Sequence, residues 1–255
     1  MLLAIDVGNT QTQFGVFDSE GALSHEWRLS THRDRTADEL GAQMLSLLAS
    51  AGVDPKSVSG IVAASVVPPL TAALPVVGER YFGHAPLLVD ASVVHDLPIL
   101  YDPPEAVGAD RIVNAIAARE HYGAPVVIVD FGTATTFDVV DANGAYLGGV
   151  IATGIGVSAD ALFQRAARLP RVHVEEPDDV IGRSTTGSLQ SGLFYGYADL
   201  VDGLLRRIID ELGTSPRVLA TGGWASTIGP ACEMVETIDP LLTLSGLKLI
   251  HDRYA

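Results

Sequence analysis

Eight consecutive residues, Asp6, Val7, Gly8, Asn9, Thr10, Gln11, Thr12 and Gln13, bring together one carboxylate, a glycine, two hydroxyls and three side-chain amides directly behind an apolar run. A strand that ends in Asp and crosses a glycine into such a turn sets backbone N–H groups, hydroxyls and a carboxylate on a concave surface. These parts can cradle a terminal phosphate and hold its Mg²⁺, with Gly8 letting the backbone come close. A second turn of the same kind, Asp130-Phe131-Gly132-Thr133, follows "VVIV" 124 positions later. One such turn is also an ordinary hairpin, but two of them facing each other could grip β- and γ-phosphates from both sides. A third element, "VLATGGWAS" from Val218, reads as a strand running into Gly222-Gly223 and then a helix, suited to a nucleotide lying against backbone.

Other chemistries lack their residues. The two lysines, Lys56 and Lys248, do not follow the glycine pattern of a P-loop, and no G-x-G-x-x-G follows the first strand. The seven histidines have no metal-ligand spacing and no G-x-S-x-G elbow occurs. A single cysteine, Cys232, excludes an intrachain disulfide and a thiolate-rich metal site, and a free thiol suits a reducing cytosol.

The elements that must position the turns are legible in outline. Each quoted strand passes through its polar turn into a second apolar run and then a second turn signal, "DSEG" at Asp18 and "DANG" at Asp141, so each half begins with paired hairpins. Thr36, Glu39 and the apolar Leu40, Met44, Leu47 and Leu48 predict a helix with a capping box that stops at Gly52. "SGIVAASVV" predicts a buried strand, "PLTAALPVVGERYF" a helix and "APLLVD" a strand. In "GADRIVNAIAAREHYG", Asp110 stands where an N-cap would stand, which would keep its carboxylate ionised through the helix dipole, and Gly123 ends the helix. A long helix over about 188–212 contains Gly192, Gly196 and Gly203. Three such costly residues suggest close approach of another backbone, either within the domain or across a dimer interface.

Lys and Arg total 16 against 31 Asp and Glu, a formal charge of −15. That field disfavours nucleic acid and anionic membrane surfaces, so anionic substrates must be held by local devices. Apolar residues form 47% of the chain, enough for a substantial core. The N-terminus has no basic n-region and its apolar start is broken by Asp6, and no stretch approaches about 18 uninterrupted apolar residues. A cytoplasmic protein is expected.

The two D-x-G-x-T type hairpins with a late Gly-Gly turn resemble the acetate and sugar kinase/Hsp70/actin superfamily. Within it, "DVGNT" at Asp6, "GADR" at Gly108, "DFGTATTFD" at Asp130, "GGVIATGIGVSADAL" at Gly148, "IGRST" at Ile181 and "SGLFYG" at Ser191 resemble the type III pantothenate kinase family, in its order and over nearly the whole chain. The resemblance implies an α/β fold of two duplicated ribonuclease H-like, actin-like ATPase domains, residues 1–117 and 118–255. Each would be a mixed sheet with flanking helices, and a cleft would lie between them. It implies transfer of the γ-phosphoryl group of ATP to pantothenate, the first step of coenzyme A biosynthesis. By the same resemblance Asp6 would hold Mg²⁺ through water, residues 6–13 and Thr133 would contact ATP, and Asp130 would bind a monovalent cation, K⁺ or NH₄⁺. Asp110 would be the general base, with Tyr101, Gly108, Ala109, Arg111 and Thr185 lining the pantothenate pocket. A homodimer is also implied. Rival readings are a kinase of the same superfamily with another small acceptor, and a non-catalytic accessory factor in transcription. The intact acidic residues at Asp6, Asp110 and Asp130 speak against the latter.

Overall fold

The computed structural model describes residues 1–166 and 169–255. The chain forms two compact units, Met1–Ala117 with Leu242–Ala255, and Ala118–Leu241.

In the first unit, β1 (Leu2–Val7), β2 (Gln11–Phe17) and β3 (Leu23–Ser30) form the expected hairpins, and β4 (Gly60–Ser65) and β5 (Leu87–Leu88) add on the other side. The sheet order is β3-β2-β1-β4-β5, antiparallel through the hairpins and parallel at β1/β4 and β4/β5. Leu3, Ile5, Val7, Phe14, Val16 and Ile61 bury one sheet face against α1 (Ala37–Ser50) and α2 (Pro68–Val77). The capping box of α1 forms as expected: Glu39 N–H donates to Thr36 Oγ1 at 3.3 Å and Thr36 N–H to Glu39 Oε2 at 2.8 Å. The strand expected over "APLLVD" shrinks to Leu87–Leu88, an edge pairing with Val62 and Ala63, because Pro86 before it has no N–H to donate.

In the second unit, β6 (Val126–Phe131), β7 (Ala134–Val140), β8 (Tyr146–Thr153), β9 (Arg217–Thr221) and β10 (Thr237–Ile238) form a sheet of order β10-β9-β6-β7-β8. Taken from its hairpin edge, this is the same succession of two antiparallel and two parallel pairings. After β8 comes α4 (Ile155–Arg165), and α6 (Ala225–Ile228) follows β9. Val127, Val129, Phe131 and Phe137 face α5 (Thr185–Leu212), whose Phe194, Tyr197, Val201 and Leu205 are buried at helical spacing. Ser184 caps α5, three residues ahead of the expected start, by accepting from Gly187 N–H at 3.1 Å.

Two expectations change. The second domain was expected to run to residue 255, but Leu242–Tyr254 forms a helix, α7, that lies against β1 and β4 of the first unit. Its Leu244, Leu247 and Ile250 are fully buried and supply the apolar stripe for the sheet face that α1 and α2 leave uncovered. The glycines of α5 were expected to admit a backbone, either within the domain or across a dimer interface. The first alternative fails: a Cβ at Gly192, Gly196 or Gly203 would meet nothing within 4 Å among the described residues beyond the helix itself.

Candidate active site

The first turn is built by β1 and β2 and braced from β3. Gly8 N–H donates to Gln11 O at 3.0 Å, closing the turn, and a Cβ on Gly8 would press on that same carbonyl. Thr31, at the end of β3, donates its hydroxyl to Gly8 O at 2.7 Å, shares a 2.8 Å hydrogen bond with Thr12 Oγ1, and donates N–H to Thr10 O at 2.9 Å. Val7, Thr12 and Gln13 are therefore buried, Asp6 and Gly8 half-buried, and Asn9, Thr10 and Gln11 exposed. Arg33 Nη2 donates to Asn9 Oδ1 at 3.0 Å.

"GADR" lies in the same unit, at the start of α3 (Ala109–Tyr122). Gly108, not Asp110, is the N-cap: Gly108 O accepts the first helical bond, from Ile112 N–H at 3.1 Å. A residue in the first turn can fold its carboxylate back, and Asp110 Oδ1 accepts from Arg111 N–H at 2.8 Å. The absence of a side chain at Gly108 makes room for it, since a Cβ there would stand 2.6 Å from Asp110 Oδ1 and 3.4 Å from Val66 Cγ1. Val66, which faces Gly108, donates its N–H to Val7 O at 3.1 Å, so the segment after β4 is tied to the end of β1. The dipole was expected to hold this carboxyl ionised; burial dominates and pushes its pKa up, against the opposing pull of the Arg111 N–H and guanidinium. Arg111 and Ala109 are buried, while Tyr101 is half-buried in the segment that leads into α3.

The remaining predicted residues, Asp130, Thr133 and Thr185, belong to the second unit. Asp130, next to last in β6, is half-buried, and Thr133 is exposed in a turn closed by Gly132 N–H to Ala134 O at 3.0 Å. The Gly-Gly turn after β9 comes up against it: a side chain on Gly222, at φ 91°, would collide with Asp130 Oδ1 at 2.3 Å and Phe131 N at 2.7 Å. Trp224 N–H donates to Phe131 O at 3.3 Å. Thr185 opens α5 and lines an open pocket of about 560 Å³ with Leu169, Arg183 and Ser188.

No three His, Cys, Asp or Glu residues cluster to hold a metal among the described residues. The donor chemistry of the first turn, a carboxylate beside exposed hydroxyl and amide oxygens, fits Mg²⁺ that arrives with phosphate oxygens and water as its other ligands. The family model for type III pantothenate kinase matches residues 2–207.

The chain belongs to that family.

A type III pantothenate kinase of Koribacter versatilis (strain Ellin345) is 50% identical over 262 residues, covering 99% of this chain and 96% of that protein. Among solved structures, a candidate Baf family transcriptional activator from Campylobacter jejuni superposes with a TM-score of 0.62 at 20% identity, covering 98% of each chain. A ROK family glucokinase from Streptomyces griseus, in complex with glucose and AMPPNP, superposes with a TM-score of 0.55 at 15% identity, covering 99% and 98%. These place the chain in the sugar kinase and actin-like ATPase fold. Sequence reasoning passed over Thr31, which fastens the first turn. Its one visible signal was a hydroxyl residue directly after β3, and its partners lie 19 and 23 positions away.

Proposed function

We infer that the protein transfers the γ-phosphoryl group of ATP to the primary hydroxyl of pantothenate, giving 4'-phosphopantothenate, the first step of coenzyme A biosynthesis. Beyond family membership, the observation that carries this reading is the Asp110 carboxylate, seated in the first helical turn in the room left by Gly108 and with a raised pKa. Asp110 receives the proton of the pantothenate hydroxyl as its oxygen forms a bond to the γ-phosphorus and the bond to the bridging oxygen of ADP breaks. A carboxyl raised by burial is a better base than a solvated one, and phosphoryl transfer otherwise asks mainly for positioning and charge neutralisation.

Gly8, Asn9, Thr10 and Gln11 of the first turn, and Thr133 of the second, bind the phosphates, with Val7, Thr12 and Gln13 shaping the first turn from below. Asp6 is the residue that would hold Mg²⁺ through water, where the ion supplies charge neutralisation on the phosphates. Asp130 is assigned to a monovalent cation, K⁺ or NH₄⁺, whose preference for oxygen ligands a carboxylate suits. Tyr101, Gly108, Ala109, Arg111 and Thr185 line the pantothenate pocket; burial of Arg111 favours a bound anionic or amide oxygen over a surface role.

A homodimer is supported by the open faces of Gly192, Gly196 and Gly203 and by Ile151, 62% exposed on β8. No described helix is long and apolar enough to cross a membrane. With a free buried thiol, this supports a cytoplasmic enzyme. The deciding experiment is ADP release with ATP, Mg²⁺ and pantothenate, in potassium and then sodium buffer, for the protein and its Asp110→Asn variant. Pantothenate-dependent turnover that needs potassium and collapses in the variant is expected. No turnover from folded protein under any cation would overturn the assignment.

A further inference from the structure

We propose that Arg33 is a nucleotide-binding residue, placing its guanidinium on the polyphosphate of the donor. The inference rests on reading the first turn as a phosphate cradle. In a chain of charge −15, such a cradle needs a cation that is not already neutralised. The first unit commits several of its cations elsewhere: Arg80 pairs with Asp38, Arg253 with Asp96 and Lys248 with Asp252. Arg111 is buried at the start of α3. Arg33 is exposed and makes no ion pair among the described residues; its hydrogen bond is to a neutral amide, Asn9 Oδ1, at 3.0 Å. That bond engages one of five N–H donors and directs the planar group onto the exposed rim of the turn, leaving the others for anionic oxygens.

The segment carrying Arg33 is short and pinned at both ends. Thr31 ties its start to Gly8 and Thr10, and Arg35 N–H donates back to His32 O at 3.2 Å just before the capping box at Thr36. The guanidinium is thus offered from an anchored loop, which limits the ordering cost of engaging a ligand.

The test titrates the protein, Arg33→Ala, Arg33→Lys and Asn9→Ala with ATP, ADP and adenosine at fixed Mg²⁺. Arg33→Ala is expected to weaken ATP about tenfold and adenosine less than about twofold, with Arg33→Lys between, as for loss of a charge-assisted hydrogen bond. The salt dependence of ATP affinity should flatten in Arg33→Ala. Equal losses for all three ligands, no loss for any, or an Arg33→Ala effect that vanishes in the Asn9→Ala background would overturn the proposal; the last would make Arg33 only a support for Asn9. Binding needs no acceptor, so failure of pantothenate turnover leaves this result readable on its own.

Discussion

The two hairpin systems share a backbone and differ in chemistry. In both, strands of six, seven and eight residues pair in the same order, and the register slips at the same place, between Val16 and Phe17 and between Val139 and Val140. The second turns match as well. Asp18 Oδ1 accepts from Glu20 and Ala22 N–H, and Asp141 Oδ1 from Asn143 and Ala145 N–H, with Gly21 and Gly144 at φ 83° and 78°. The phosphate turns diverge: the first closes from Gly8 to Gln11, the second one residue sooner, from Gly132 to Ala134. Where the first system has Thr31 bridging Gly8 O and Thr12, the second has Gly154, whose missing side chain admits the carbonyls of Thr133 and Gly132. Thr135, at the place of Thr12, keeps a fully buried hydroxyl with no hydrogen-bond partner among the described residues. The outer strands part company too. β3 exposes Ser24, Glu26, Arg28 and Ser30, whereas β8 exposes Leu147, Gly149, Ile151 and Thr153. The lesson is that pairing register preserves a duplicated frame while single side chains at the turns reassign its use.

The sharpest way to break this contrast is to neutralise the two carboxylates. Asp6→Asn should lower kcat by about 100-fold or more at any potassium concentration, while Asp130→Asn should lose about tenfold and recover as potassium is raised. Matching losses, both blind to potassium, would mean the two turns do one job. Next, Gly154→Ala should cost about 1–3 kcal/mol in thermal or urea unfolding, because its Cβ meets Thr133 O at 2.2 Å and backbone cannot yield as a flexible side chain would. Thr31→Ala should cost about 1–2 kcal/mol by stranding the buried Thr12 hydroxyl, whereas Thr135→Val should be neutral or stabilise by up to about 1 kcal/mol. A destabilised Thr135→Val would show that the second hydroxyl has a partner such as a bound water.

The smallest effect sharpens the contrast from outside both hairpins. Burial raises the pKa of Asp110, so its ionised form is disfavoured in the folded state. That cost is absent below the ordinary carboxylate range and fully present once pH has passed the raised value. Asp110→Asn should therefore unfold at or slightly above the wild-type temperature at pH 7, with the gap closing below about pH 4. The acid limb of turnover should lie above the ordinary Asp range for the same reason.

Much of this was legible because it is local. The capping box of α1, the Asp-x-x-Gly turns and the apolar runs of both hairpins depend on residues within a few positions of one another. Asp110 misled because an acidic residue two positions after a glycine reads like a cap, whereas Gly108 fills that role and burial, a property of the whole fold, pushes the carboxyl pKa up. Thr31 was silent because its partners are distant in sequence. The face of α5 was read only in part, because glycine spacing reports a need for room and not what occupies it.

The placement of α7 bears on how the protein is made. Its Leu244 fits beside Gly15 of β2, and its Gly246 lets the helix cross close to Val113 and Ala117 of α3. Yet it is translated after the 124 residues of the whole second unit. At roughly 5–20 residues per second, the first sheet waits on the order of ten seconds with one apolar face bare. The second unit can fold on emergence, while the first, although synthesised earlier, is completed last. Its half-built state is the form of this chain most exposed to aggregation and most in need of a chaperone.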